Sequence, residues 1–242
     1  MNTFPIFSAI ALCMISPFGR GQGFQTRDQF QSGGKTIQME TFGVRTAVAS
    51  PSIIVLHGAT GVEFANRFIA ALAQGIAEHG FVVHLVHYFD RTGLTSADDE
   101  AIKRSSGEWL QTVDDAVNFV RAQRGTAKIG LFGYSLGGYL AAAEAVKNPD
   151  VAAAVVLAGG LDSDSARTAR RAPPVLILHG SADVRVPVTE AQNLEAVLKR
   201  LGGEPEVHIY SGEGHIMKAL TYVDVVSRSA EFFVRRLRRP EQ

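Results

Sequence analysis

Lys128-Ile-Gly-Leu-Phe-Gly-Tyr-Ser-Leu-Gly-Gly-Tyr-Leu-Ala-Ala-Ala-Glu-Ala-Val-Lys147 is the stretch whose reading decides the fold. An apolar run suited to a buried strand ends at Phe132, and an alanine-rich segment from Tyr139 to Lys147 reads as a helix. Between them, Gly133-Tyr134-Ser135-Leu136-Gly137-Gly138 forms G-x-S-x-G in a strand–turn–helix setting. Glycines two residues to either side of Ser135 remove the Cβ atoms that would collide where strand and helix approach. Such a turn lifts the Ser135 hydroxyl above the sheet edge and aims the Leu136 amide at the same point. That amide opens a helix, where partial positive charge favours a developing oxyanion. The alternative is a glycine-rich turn in which Ser135 merely caps the helix. No G-x-G-x-x-G phosphate cradle and no Gly-Lys-Ser/Thr occurs here, which excludes both nucleotide-binding motifs at this turn.

Outward from this unit, the same alternation repeats along the chain. Ser52–Leu56, Phe81–Val86, Ala153–Leu157, Val175–Leu178 and Glu206–Tyr210 are short, β-branched runs that read as strands. Helical spacing links Phe64, Phe68, Leu72 and Ile76, and likewise Trp109, Val113, Val117 and Val120. Leu194, Val197, Leu198 and Leu201 stripe a third helix, and Tyr222, Val225, Val226 and Phe233 a fourth. Strands apolar on both faces and alternating with helices predict one α/β domain, a mostly parallel, doubly wound sheet flanked by helices on both faces. Ligands bind such sheets beyond the carboxyl ends of the strands, so the strand exits are where chemistry belongs.

Composition narrows the function classes. The chain has 242 residues with 24 Lys+Arg against 24 Asp+Glu, hence no net charge to hold it on nucleic acid or an anionic membrane. Cys13 is the single cysteine, so an intrachain disulfide framework and a Cys-ligated zinc site are excluded. Phe4–Ile15 is an apolar run too short to span a bilayer, followed by a glycine-rich stretch ending at Gly23. It suits a signal-peptide core, although no Lys or Arg precedes it; the alternative is an apolar segment packed on a cytoplasmic protein. The expected division is a leader at 1–23, giving an exported protein, and one domain over 24–242.

A serine hydroxyl attacks only when a base takes its proton, and in this kind of sheet the chain order is serine, acid, histidine. Of seven histidines, only His215 lies in a loop after the last strand, in Tyr210-Ser-Gly-Glu-Gly-His215. A surface histidine in a flexible turn is its alternative reading. Asp183, leaving the preceding strand in Leu178-His-Gly-Ser-Ala-Asp183, is the expected acid that orients the imidazole. Its alternative reading is an Asx-turn residue that stabilises its own loop, and Asp162 and Asp164 are rival acids. The second oxyanion donor is expected in Leu56-His-Gly-Ala-Thr-Gly61 at the Ala59 amide, with Thr60 as the alternative.

Gly133–Gly138, the exit ending at Asp183 and Gly214-His215 together resemble the dienelactone hydrolase family of α/β-hydrolases. The segment Gly80–Arg91 resembles the strand and loop preceding that family's nucleophile turn, and the resemblance covers about residues 50 to 237. It implies a small hydrolase acting on esters or lactones without a metal or organic cofactor. Two departures bear on substrate. The family's namesakes use a cysteine nucleophile where this chain has Ser135. They also bind a substrate carboxylate through arginines, one about a turn after the histidine, where this chain reads Ile216-Met-Lys-Ala219. Arg91 matches the other basic position.

The expected reaction is therefore ester or lactone cleavage through Ser135, His215 and Asp183 with an acyl-enzyme intermediate. Thr60–Phe64 and the Tyr88–Ser96 loop are expected to line the acyl pocket, with Thr60, Tyr88 and Arg91 meeting the substrate. A small serine peptidase and a non-catalytic binding protein on a hydrolase scaffold are the alternatives. The expected partner is a small molecule, with no nucleic acid, no stable membrane span, and a monomer or weak homodimer. Arg235–Arg239 reads as the solvated end of the last helix, where cations suit the dipole.

Overall fold

The computed structural model describes residues 23–44, 50–124 and 128–238; the side chains of 44, 63–67 and 124 are outside that description. Residues 1–22 of the expected leader at 1–23, Cys13 among them, therefore lie outside the described residues, and the apolar position Phe64 outside the described side chains. Eight strands form one sheet in the order β1-β2-β4-β3-β5-β6-β7-β8. Their ranges are β1 Gly23–Ser32, β2 Lys35–Val44, β3 Ser52–Leu56, β4 Val82–Val86, β5 Ile129–Tyr134, β6 Val151–Leu157, β7 Val175–Gly180 and β8 Glu206–Tyr210. Strands β3 to β8 pair in parallel, while β1 and β2 form an antiparallel hairpin that joins the edge of β4. The fold is thus the mostly parallel, helix-flanked sheet that the alternation predicts.

The helices are α1 Gly61–Ala77, α2 Asp99–Arg124, α3 Leu136–Lys147, α4 Ser163–Thr168, α5 Val188–Arg200 and α6 Ala219–Leu237. Two apolar layers sandwich the sheet because side chains on each central strand alternate between its faces. Ile54, Leu56, Leu131 and Ile177 face α2, α3 and α5, packing with Trp109, Val113, Leu140 and Leu194. Ile53, Val55, Phe132 and Leu176 face α1 and α6, packing with Ile69, Leu72, Val225 and Phe233. Parallel strands buried on both faces are what make these runs read as continuous apolar stretches.

The hairpin lies upstream of the segment covered by the sequence reading. Its strand β1 is Gly-Phe-Gln-Thr-Arg-Asp-Gln-Phe-Gln-Ser and is largely exposed, so the apolar content that marks the other strands is missing. Only Phe30, Ile37, Met39 and Phe42 of this ribbon enter the apolar layers. Its turn, Gly33-Gly34, holds φ 50° and 76°, the positive pair that two-residue hairpin turns favour.

Candidate active site

The β5–α3 turn gives Ser135 φ 54° and ψ −119°, a region that a side chain enters only under strain. Tight packing enforces it. A Cβ on Gly133 would overlap the Gly137 carbonyl, and one on Gly137 would overlap the Leu56 carbonyl. The Ser135 amide donates to the Leu157 carbonyl at 2.9 Å, tying the turn to β6. The Ser135 hydroxyl makes no capping bond to α3. It meets Nε2 of His215 at 2.9 Å instead.

His215 arrives from the loop after β8, and its Nδ1 lies 2.8 Å from Oδ2 of Asp183. The two faces of that carboxylate serve different ends. Oδ1 accepts the Arg185 and Val186 amides, both at 2.9 Å, so the Asx-turn reading of Asp183 also describes a real contact. Oδ2 is left for the imidazole. A carboxylate fixed in this way selects the tautomer with its proton on Nδ1, leaving Nε2 to accept from Ser135. The rival acids are placed elsewhere: Asp162 caps α4 by accepting the Asp164 and Ser165 amides, and Asp164 pairs with Arg167 on the surface.

Ala59 follows β3 in the turn His57-Gly58-Ala59-Thr60, where its carbonyl accepts the Ala97 amide at 2.8 Å. Among the described residues, neither the Ala59 nor the Leu136 amide meets a backbone acceptor. Gly58 lies against Tyr134 and the Cβ of Ser135, so the two amide-bearing turns adjoin. Thr60 is exposed on the rim beside them and makes no capping bond to α1.

Two expected substrate contacts are placed differently. Tyr88 is fully buried, its ring stacks on His57 at 4.1 Å, and its hydroxyl donates to the His57 carbonyl at 2.7 Å. It therefore braces the Ala59 turn from below and presents no surface to a ligand. Arg91 bonds Glu108 of α2 at 3.1 Å, and its guanidinium packs against Gly33 in the hairpin turn. Both residues fall in a 3-10 turn, Tyr88–Arg91, which winds them back onto the sheet edge. The carboxylate-binding position that Arg91 matches by sequence is thus engaged in structure. The Phe64 position of the expected pocket lies outside the described side chains.

Several residues near the site were not singled out by sequence. Tyr134, the first variable position of G-x-S-x-G, donates to the His215 carbonyl at 3.1 Å. Burial is the main cause that pushes its phenol above the usual range. Glu213 accepts the Lys218 amide and the Thr221 hydroxyl, both at 2.9 Å, which ties the His215 loop to the start of α6. Its signal was the spacing Glu-Gly-His, two residues before the imidazole. His57 is buried without charge: desolvation lowers its pKa from 6.5 to about 3, against the pull of the Gly58 carbonyl. Val184 and Ile216, the neighbours of Asp183 and His215, stand 94% and 81% exposed, giving the site an apolar rim. Among the described residues no cluster of three or more His, Cys, Asp or Glu is placed to hold a metal, and no helix is long and apolar enough to cross a membrane.

This fold and this strand-exit site define an α/β-hydrolase. Residues 39–222 match the model of the dienelactone hydrolase family. The chain belongs to that family. Over 188 residues it is 25% identical to a Methylorubrum extorquens protein named "Putative carboxymethylenebutenolidase", covering 70% of this chain and 64% of that one. Among solved structures it is similar to a dienelactone hydrolase from Anabaena variabilis, with a TM-score of 0.71 at 20% identity over 90% of this chain and all of that one. It is also similar to the dienelactone hydrolase-like promiscuous phosphotriesterase P91 from metagenomic libraries, with a TM-score of 0.76 at 16% identity over 90% of this chain and 100% of the other.

Proposed function

We propose that the protein cleaves carboxylic esters or lactones by a serine mechanism, with Ser135 as nucleophile, His215 as base and Asp183 as the acid that orients it. The observation that carries this reading is the unbroken chain Ser135 Oγ–His215 Nε2 at 2.9 Å and His215 Nδ1–Asp183 Oδ2 at 2.8 Å. Ser135 attacks the carbonyl carbon while His215 takes its proton. The Leu136 and Ala59 amides receive the oxyanion, and Asp183 stabilises the imidazolium. His215 then returns the proton to the leaving alcohol, and water repeats the sequence on the acyl-enzyme.

Substrates with apolar groups fit better than the carboxylate-bearing lactones of the family's namesakes. Arg91 is committed to Glu108, and the rim beside the imidazole is formed by Val184 and Ile216. The substrate is a small molecule; nucleic acid is not a partner of a chain with balanced charge, and the active unit is a monomer or weak homodimer. The apolar run Phe4–Ile15 supports export, which N-terminal sequencing of the mature protein tests.

A panel of p-nitrophenyl esters and dipeptide amides, run on wild type and Ser135→Ala, tests the reading. Ester turnover that disappears in Ser135→Ala is the expected result. Turnover unchanged by that substitution would contradict it, preferred cleavage of the amides would favour a peptidase, and a ligand bound without turnover would favour a binding protein.

A further inference from the structure

His179 closes β7, is fully buried, and is used by none of the steps above. Its Nε2 faces two acceptors: the Val186 carbonyl at 2.8 Å and, at 3.5 Å, Oδ2 of Asp183. With only acceptors before it, Nε2 carries the proton of the neutral ring. The other nitrogen, Nδ1, is buried without a partner. An apolar side chain of the same shape would avoid stranding that nitrogen, so the imidazole here points to the work of its single N–H.

We propose that His179 is a positioning residue for the Asp183 carboxylate; the proposal rests on the reading of Asp183 as the acid that orients His215. It acts by two routes. Its N–H pins residue 186 through the carbonyl, and the amide of that same residue donates to Asp183 Oδ1 at 2.9 Å. The positive edge of the ring also flanks Oδ2, the oxygen that holds His215 Nδ1 at 2.8 Å. Two amides fix Oδ1 and two imidazole edges bracket Oδ2, so the carboxyl plane cannot rotate away from His215. The other groups facing this carboxylate are the Tyr134 and Tyr139 phenols, each raised chiefly by burial and in part by the Asp183 charge. The Arg185 guanidinium turns away to Asp99 at 2.6 Å.

His179→Phe and His179→Gln test the role, with kcat per active site taken from the p-nitrophenol burst. In His179→Phe, kcat is expected to fall about tenfold, the upper scale of one lost neutral hydrogen bond, with KM within about twofold. With the carboxylate free to turn from His215, it stabilises the imidazolium less, so the acid limb of the pH profile moves to lower pH. Glutamine, whose side-chain amide can replace Nε2–H, is expected to restore both. A folded His179→Phe protein with unchanged kcat per site and an unmoved limb would overturn the proposal. Should that variant fail to fold, nitrogen NMR of histidine-labelled wild type decides: an Nε2–H tautomer at His179 supports the role, and an Nδ1–H tautomer overturns it. Ester turnover that survives Ser135→Ala would sink the functional reading itself and this proposal with it, whereas turnover lost in Ser135→Ala but unmoved in His179→Phe would sink this proposal alone.

Discussion

Ser135 is the residue at which local stability and function pull apart. Its φ of 54° places a Cβ where glycine would sit without strain. Residues held in such regions cost about 1–3 kcal/mol, and the surrounding packing at Gly133 and Gly137 is what sustains it. Ser135→Gly is therefore expected to unfold at higher denaturant than Ser135→Ala, by about 1 kcal/mol, although both lack the hydroxyl. Equal stability of the two in urea titrations would mean that the turn stores no strain. Gly137→Ala is expected to lose activity together with stability, since the new methyl must displace the Leu56 carbonyl beside the oxyanion turn.

At the scale of elements, the site is a meeting of strand exits that adjacent parallel strands bring to one edge of the sheet. The β5 turn places Ser135, the β7 exit Asp183 and the β8 exit His215, and each departs at the carboxyl end. Strands β3 to β7, and the turn at Ser135, were legible in the sequence because parallel strands buried on both faces read as apolar runs; β8 is half exposed and was legible from its β-branched alternation instead. The hairpin was not, because β1 alternates and is mostly solvated, and its cue was confined to Gly33-Gly34. Tyr88 and Arg91 were misplaced for a related reason: they follow β4 in sequence, but a 3-10 turn carries them inward rather than over the sheet edge. Strand order cannot reveal the direction of a turn.

Two predictions belong to this scale. Ile37 is fully buried from the hairpin side, so Ile37→Ala is expected to cost about 2–5 kcal/mol in urea unfolding if the ribbon folds with the sheet. A loss below about 0.5 kcal/mol, the range of ordinary surface changes, would mean that the ribbon is not part of the cooperative unit. Glu213→Ala frees the His215 loop from α6, and a lower kcat with little change in KM is expected. An unaltered kcat would show that Tyr134 and the loop backbone hold the imidazole by themselves.

Across the whole molecule, the end of the sheet away from the site carries a second electrostatic feature. Glu144, on α3, is fully buried, accepts from Asn148 at 2.7 Å and lies beside the Asp114 carboxylate. Burial is the main cause that raises its pKa from 4.5 to about 7. The folded value exceeds the unfolded one, so the favourable contribution is complete below about pH 4.5 and is lost as pH rises through about 7. Glu144→Gln keeps the Asn148 contact without the charge. Its stability relative to wild type is therefore expected to grow between those two values and level off above them, as followed by melting temperature against pH. A difference independent of pH would mean that Glu144 is ionised at little cost in the folded protein.

Peptide-mapped mass spectrometry after reaction with a small fluorophosphonate tests the central claim most directly. The account predicts a single adduct, on the peptide containing Ser135, absent in Ser135→Ala and slowed strongly in His215→Gln. Steady ester turnover with residue 135 unmodified, or an adduct that forms at the same rate without the imidazole, would contradict it.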